Sequence, residues 1–302
     1  MDSASSRDAP NAGLIFAALI AIQLLFGAGY VVSKVLVGIF PPMVWASIRI
    51  SISAMIMLGV ALGSGRPSPK GWNDFFKPLI GFSLLGVVIN QSSFLVGLRF
   101  TTSTNSAILN TLIPVFTLLL VILRRVEVMN WSRALGFLLA LAGVLSIRHI
   151  EDFHFANQTV IGDLLTILNC LSFACFLVFG KAFMGKHDKI WTTTWLFIYG
   201  SIGITILALP DYASFQFPQM TPNLWFCATF AVLGTTLLTY FLNFWALANV
   251  RSSSVALYIY LQPVVASAVS YLFLGEQVTL RTVVSAGLIF LGMIFGRAKE
   301  TR

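Results

Sequence analysis

The chain consists mostly of long apolar runs separated by short polar or turn-forming breaks. An apolar helix needs about 20 residues to cross about 30 Å of hydrocarbon. The breaks hold prolines and glycines, as in residues 63–71, or basic pairs such as Arg124-Arg125. The pattern predicts an all-α integral membrane protein with ten transmembrane helices, at residues 13–33, 43–62, 78–98, 103–123, 132–149, 160–182, 190–209, 223–247, 252–273 and 279–297.

Composition excludes most classes of soluble protein. Hydrophobic residues make up 57% of the 302 residues and charged residues 10%, whereas soluble domains carry about 25% charged residues. A soluble enzyme, a nucleic-acid-binding protein or a disordered chain would need far more polar surface. No Ser/His/Asp, Cys/His or paired-carboxylate arrangement shares one depth in the spans, and the three cysteines lack metal-ligand spacing. The sequence therefore predicts neither an enzyme nor a cofactor or metal site.

Basic residues indicate how the spans are oriented. With both termini in the cytoplasm, 14 Lys and Arg residues fall on the inner side and 4 on the outer side, which is the asymmetry of the positive-inside rule. The net charge of +8 is therefore assigned to membrane orientation and not to nucleic-acid binding. We expect cytoplasmic tails at 1–12 and 298–302, on a multi-pass protein of a bacterial inner (plasma) membrane.

The two halves of the chain resemble each other at an offset of 149 residues. Each half, 13–149 and 160–297, holds five spans, and because five is odd the second half enters the membrane inverted. Inverted repeats are typical of alternating-access transporters, whose substrate binds between the halves. Identical residues recur in one register, as in the pairs Leu98/Leu247, Pro114/Pro263 and Glu127/Glu276.

The repeated segments also resemble a known family. Residues 94–127, which begin with FLVGLRFTT, are similar to the EamA-type repeat of the drug/metabolite transporter superfamily, and residues 245–276 form a second copy. Tyr30 and Arg49 fit the same pattern, whereas Arg125-Val126 departs from the Leu-Gly pair of the second copy. The resemblance implies a ten-helix carrier whose cavity is lined by the first, third, fourth, sixth, eighth and ninth helices. It also implies export of amino acids or related metabolites.

Polar side chains near the middle of the spans are the candidate substrate-binding residues. Such groups are costly in a bilayer unless they are paired or face a wet cavity. The alternative for each is a structural hydrogen bond between helices. Their concentration on the six expected cavity helices favours a binding site composed of Gln23, Asn90, Gln91, Asn110, Asn169, Tyr240, Asn243, Tyr258 and Gln262.

A second group of residues is assigned to gating or hinge motion: Lys34, Arg49, Pro114, Lys181 and Pro263. The prolines remove a backbone donor and bend their helices, either as hinges or as kinks held by packing. Arg49, about 9 Å inside its span, attracts a substrate carboxylate, snorkels to the headgroups or bonds to another helix. Lys34 and Lys181 act in gates or snorkel.

The few charged residues in the spans limit the chemical class of the substrate. No Asp or Glu lies near the centre of a span, although proton-coupled carriers of lipophilic cations need such a carboxylate. A carrier of phosphorylated compounds needs several cavity cations, and the spans offer few. We therefore expect an exporter of neutral or zwitterionic metabolites such as amino acids, with a phosphorylated-metabolite or nucleotide-sugar antiporter as the alternative. The expected partners are the solute and the lipid bilayer; the sequence carries no signal for an oligomeric state.

Overall fold

The computed structural model describes residues 12–101, 103–127, 129–147, 157–274 and 280–296, and over these ranges it contains helices and no β-strand. Apart from Ala12, the predicted tails lie outside the described residues. The helical segments are α1 (Ala12–Ile39), α2 (Pro42–Gly63), α3 (Trp72–Phe100), α4 (Ser103–Leu109 and Leu112–Leu123), α5 (Trp131–Ile147), α6 (Asn157–Lys186), α7 (Lys189–Tyr212), α8 (Pro222–Asn249), α9 (Ser252–Leu257, Tyr258–Leu261 and Gln262–Leu274) and α10 (Leu280–Gly296).

Eight of these segments, α1–α4 and α6–α9, are long and apolar enough to cross a membrane. The other two, α5 and α10, are apolar helices of 17 residues each. The prediction of an all-α, multi-pass integral membrane protein is confirmed. The count of ten membrane spans stays a prediction.

α4 and α9 are interrupted at equivalent positions, just before a proline. Because proline has no N–H, the carbonyl four residues earlier loses its helical partner. Before Pro114 this carbonyl belongs to Asn110, and it accepts instead from Ile113 N at 3.0 Å. Before Pro263 the chain tightens into a turn of 3-10 helix, Tyr258–Leu261. The α-helix is therefore interrupted before each proline, while a bend at these positions and a role as hinges stay predictions.

α3 and α8 each contain a widened π-helical segment. The two segments, Leu84–Ile89 and Phe230–Leu238, end at positions 149 residues apart. A π-helical turn inserts one extra residue into the helix, and such turns are frequent at functional sites. Asn90 and Thr239 follow directly after them. The backbone irregularities of α3, α4, α8 and α9 thus recur in both halves of the chain.

α5 and α10 pack in antiparallel directions through close backbone contact. Ser146 Oγ lies 2.7 Å from Ser285 Oγ, near the end of α5 and the start of α10. Toward their other ends, a Cβ added to Gly292 would lie 2.6 Å from Gly136 O. Small residues allow this close approach, which is common between helices in membranes. Each helix thus covers the other along most of its length.

Hydroxyl groups join α2 to α7 in the same antiparallel manner. Ser47 Oγ lies 2.8 Å from Thr205 Oγ1, and Ser51 Oγ lies 2.7 Å from Ser201 Oγ. From Ser47 to Ser51 the chain advances along α2, whereas the bonded partners step back along α7 from Thr205 to Ser201. The two helices are therefore antiparallel. Like α5 and α10, these two helices occupy corresponding places in the two halves of the sequence.

The contact between α5 and α10 predicts the effect of one methyl group. Gly292→Ala places its Cβ against backbone atoms of α5 that cannot move away cheaply, and overpacking of this kind costs about 1–3 kcal/mol. Gly287→Ala is the matched control, because nothing lies within 4 Å of a Cβ there. We expect a lower melting temperature in detergent for Gly292→Ala alone. Equal melting temperatures for the two variants would contradict this packing.

Candidate functional site

A cavity lies between α1, α2, α3, α4, α6, α8 and α9. The cavity volume is about 70 Å³, and about 570 Å³ of atom-free space is present when its open side is counted. Six of the nine predicted binding residues line it: Asn90, Gln91, Asn110, Asn169, Tyr240 and Gln262. The six helices expected around the cavity all contribute, and α2 joins them through Arg49.

Three asparagines form a continuous chain of hydrogen bonds in the cavity wall. Asn90 Nδ2 donates to Asn169 Oδ1 at 2.5 Å, and Asn169 Nδ2 donates to Asn110 Oδ1 at 2.6 Å. Asn110 Nδ2 ends the chain at Ser106 O, 2.8 Å away. These bonds connect α3 to α6 and α6 to α4. The predicted residues therefore act together, and each is both a link between helices and part of the cavity wall.

Gln91 connects this chain to α2 and α8. Its Nε2 donates to Asn90 Oδ1 at 2.7 Å and to Tyr240 Oη at 2.8 Å, while its Oε1 accepts a hydrogen bond from Arg49 Nη2. Tyr240 Oη in turn donates to Gly86 O at 2.7 Å, within the π-helical segment of α3. Arg49 therefore makes the interhelical bond that was one of its three predicted roles. It is 2% exposed and does not snorkel.

Gln262 organises a second polar cluster on the opposite wall. Its Nε2 donates to Gln23 Oε1 at 2.7 Å, and its Oε1 accepts from Tyr30 Oη at 2.8 Å. Gln23 itself is buried behind Gln262 and is not part of the lining. Its amide orients Gln262 from behind, so its contact with the cavity is indirect.

Two predicted residues are not brought into this cavity. Asn243 is buried, and its Nδ2 donates to Thr239 O at 2.9 Å within α8. Tyr258 lines a separate apolar crevice beside the start of α1, where its ring meets Phe16 edge-on with 6.0 Å between centroids. Both lie on the expected helices, but neither is among the residues that line the cavity.

One face of α1 contributes to the cavity with residues that were not among the predicted binding residues. Phe26, Tyr30 and Ser33 all line the cavity, at the three- and four-residue spacing of a single helix face. That spacing of aromatic and hydroxyl groups was a usable signal. The remaining walls are largely aromatic: the Tyr30 and Phe94 rings lie edge to face at 5.6 Å, and Phe173 lies one helical turn beyond Asn169.

Lys34 and Lys181 make the same contact in the two halves. Lys34 Nζ donates to Leu98 O at 2.7 Å and to Thr101 O at 2.6 Å, at the end of α3. Lys181 Nζ donates to the carbonyls at the equivalent positions at the end of α8, Leu247 O at 3.3 Å and Val250 O. A cation at the carbonyl end of a helix satisfies free acceptors and complements the helix dipole. Both lysines cap helices, and a part in gating stays a prediction.

A buried ion pair connects α4, α5 and α9 at one end of the bundle. Glu127 Oε2, in the break after α4, lies 3.3 Å from Arg133 Nη2 in α5, and these side chains are 6% and 4% exposed. The Glu127 carboxylate also accepts hydrogen bonds from Ser253 Oγ and, at 3.3 Å, from Ser253 N. Glu127 therefore pairs with the helix that follows it and also caps the start of α9.

Comparison with known sequences identifies the family. Residues 11–148 and residues 160–296 each match the EamA-like transporter family. The chain belongs to this family. The assignment confirms the resemblance seen in the sequence, and it indicates a membrane transporter and not an enzyme.

Relatives of this EamA-like transporter extend over nearly its whole length. The uncharacterized transporter YyaM of Bacillus subtilis (strain 168) is 23% identical over 286 residues, 93% of this chain and 92% of YyaM. An S-adenosylmethionine uptake transporter of Rickettsia bellii (strain RML369-C) is 27% identical over 253 residues, 83% of this chain and 81% of that protein. A solved crystal structure matches with a TM-score of 0.76 at 14% identity, covering 94% of this chain and 95% of the other. That likeness shows a shared fold.

Removal of either lysine cap should lower the stability of the folded protein. Lys34→Met and Lys181→Met each leave helix-end carbonyls without a charged donor, and hydrogen bonds of this type contribute about 1.5–3 kcal/mol when well shielded. Lys77→Met is the control, since Lys77 is exposed at the surface. We expect both capping variants to melt at lower temperature in detergent while the control matches the wild type. A melting temperature unchanged in both would contradict the capping role.

Proposed function

We propose that this transporter is an alternating-access carrier of small neutral or zwitterionic metabolites, and that it exports amino acids. The proposal includes ten membrane spans arranged as two inverted repeats, 13–149 and 160–297, with the substrate bound between them. The observation on which it mainly depends is the cavity, whose amide network and aromatic walls come from both halves of the chain.

The packing of corresponding helices supports an inverted repeat. α2 and α7 occupy the same place in the two halves, as do α5 and α10, and each pair runs antiparallel. Two halves related in this way can exchange conformations, which is the basis of alternating access. The equivalent lysine caps and equivalent helix interruptions support the same relationship.

The chemistry of the cavity supports the substrate class. Its described lining combines amides, hydroxyls and aromatic rings with one cation, Arg49, and with Gly29, Ile113 and Ile259. Amides and hydroxyls offer both donors and acceptors, which suits a zwitterion, and the aromatic rings suit an apolar side chain. A phosphorylated substrate would need more cations, and Lys34 and Lys181 are already bonded at helix ends. S-adenosylmethionine, in the name of one relative, is itself an amino-acid derivative.

We further propose that the cavity lies toward the outer side of the membrane, away from a polar cluster at the cytoplasmic end of the bundle. The Glu127–Arg133–Ser253 cluster lies where α9 begins, the same end at which α1 begins next to Tyr258. The α1 residues of the cavity, from Phe26 to Ser33, lie in the second half of that helix. The positive-inside rule supports a cytoplasmic start for α1.

Transport by the purified protein in liposomes tests the function. A panel of radiolabelled amino acids is offered with and without a pH gradient, and outward flux is measured from preloaded vesicles. We expect saturable transport of neutral amino acids with apolar side chains. Absence of amino-acid transport, together with uptake stimulated by phosphate inside the vesicles, would instead support the antiporter.

Two buried asparagines provide a matched test of the cavity. Asn169 and Asn243 are 3% and 4% exposed, but only Asn169 lines the cavity and joins its network. We expect Asn169→Ala to reduce transport about tenfold or more, the value of one or two hydrogen bonds, while the protein still folds because water can enter the space. Asn243→Ala should transport normally. Equal transport by the two variants would contradict this site.

Cysteine labelling tests the orientation. In a background without the three native cysteines, a cysteine replaces either Lys70, in the loop after α2, or Ser214, in the loop after α7. Both positions are exposed, and the antiparallel helices place them at opposite ends of the bundle. We expect an impermeant reagent to label position 214 in intact cells and position 70 only after lysis. The reverse pattern would overturn the topology.

A further inference from the structure

Arg49 is a buried charge without a counter-charge in the described part of the chain. Its Nη2 donates to the neutral Gln91 side chain, and its Nε–H is buried without a hydrogen-bond partner. The ion pairs among the described residues involve other arginines. A buried guanidinium of this kind is expensive, because it gives up hydration and receives little in return.

A purely structural role does not require that charge. A neutral glutamine could donate one hydrogen bond to Gln91 at a much smaller desolvation cost. Ionisable groups within membrane spans generally serve a function when no partner neutralises them. A negatively charged group that enters the site would supply the missing counter-charge.

The position of Arg49 supports this interpretation. It is the only charged side chain among the described residues that line the cavity, so this space has a positive potential that attracts an anion. Arg49 lies about 10 Å along α2 from its start at Pro42, where it can meet a solute well inside the bundle. A guanidinium pairs in a planar, two-point manner with carboxylates.

We propose that Arg49 binds the carboxylate of the transported solute and selects for substrates with one such group. A single guanidinium neutralises a monoanion, whereas a phosphate dianion would leave excess negative charge in the cavity. The ammonium group of a zwitterion then meets amide oxygens and the faces of Tyr30 and Phe94, which bind cations favourably. This inference rests on the proposed transport function and adds the atom group that the site recognises.

The test compares acids with their amides. Liposomes containing the purified protein are offered each of the 20 L-amino acids and its carboxamide, in which –CONH2 replaces the α-carboxylate. The proteins are the wild type, Arg49→Gln and Arg49→Met. Arg66→Gln is the control, because Arg66 is a surface arginine paired with Asp188. The measured quantity is the ratio of kcat/KM for the acid to that for the amide.

We expect the wild type and Arg66→Gln to prefer acids about 10- to 100-fold, the effect of a charge-assisted pair. Arg49→Gln should lower acid transport to about the amide level, whereas transport of the amides of neutral amino acids, which carry a net positive charge, should not fall. If Arg49→Gln fails to fold, Arg49→Met provides the same ratio, since it keeps the apolar stem and removes the buried charge together with the hydrogen bond to Gln91.

Two results would overturn the proposal, and they differ in meaning. If both Arg49 variants keep the acid preference, or lose acid and amide transport equally, Arg49 serves only the hydrogen-bond chain and the transport function stands. If the wild type carries neither acids nor amides, the amino-acid function fails and this inference fails with it.

Discussion

One donor-only side chain sets the direction of the hydrogen bonds in the cavity wall. Arginine has no acceptor atom, so Gln91 turns its Oε1 toward Arg49 and its Nε2 toward Asn90. Asn90 then donates to Asn169, and Asn169 donates to Asn110. A half-satisfied network would be costly where lipid supplies no replacement partners. One guanidinium on α2 therefore orients amides on α3, α6 and α4 that line the cavity.

Irregular backbone is concentrated around this network. Non-helical backbone at membrane depth is tolerated only where protein or a cavity satisfies its polar groups. The interruption in α4 falls at Asn110, and the π-helical segment of α3 ends beside Asn90. Tyr240, from the other half of the chain, donates to the Gly86 carbonyl inside that segment. The interruptions recur in both halves, but the side chains on them differ, since Ile259 occupies the position in α9 that matches Asn110. The scaffold is repeated while the chemistry of the site has diverged.

Most of the secondary structure could be predicted, because in a bilayer each backbone group must be satisfied within its own helix. Apolar runs therefore mark helices, and Pro114 and Pro263 mark the places where two of them are interrupted. The sequence could not reveal the partners of the charged side chains. Glu127 reaches Ser253, 126 positions away, and such a contact depends on how the helices pack. The π-helical segments were not predicted either, since no residue type in them forces that conformation.

The sequence by itself determined the position of each polar side chain along its helix, and so its expected depth, because residue count and helical rise convert directly into distance along the helix axis. Six of the nine selected residues line the cavity for that reason. Depth does not determine the rotation of a helix about its axis. Asn243 lies on the same helix as Tyr240 yet donates to Thr239 O within that helix, whereas Tyr30 was not selected as a binding residue and lines the cavity. Only the tertiary structure decided which face of each helix met its neighbours, because that choice depends on simultaneous packing of all the helices.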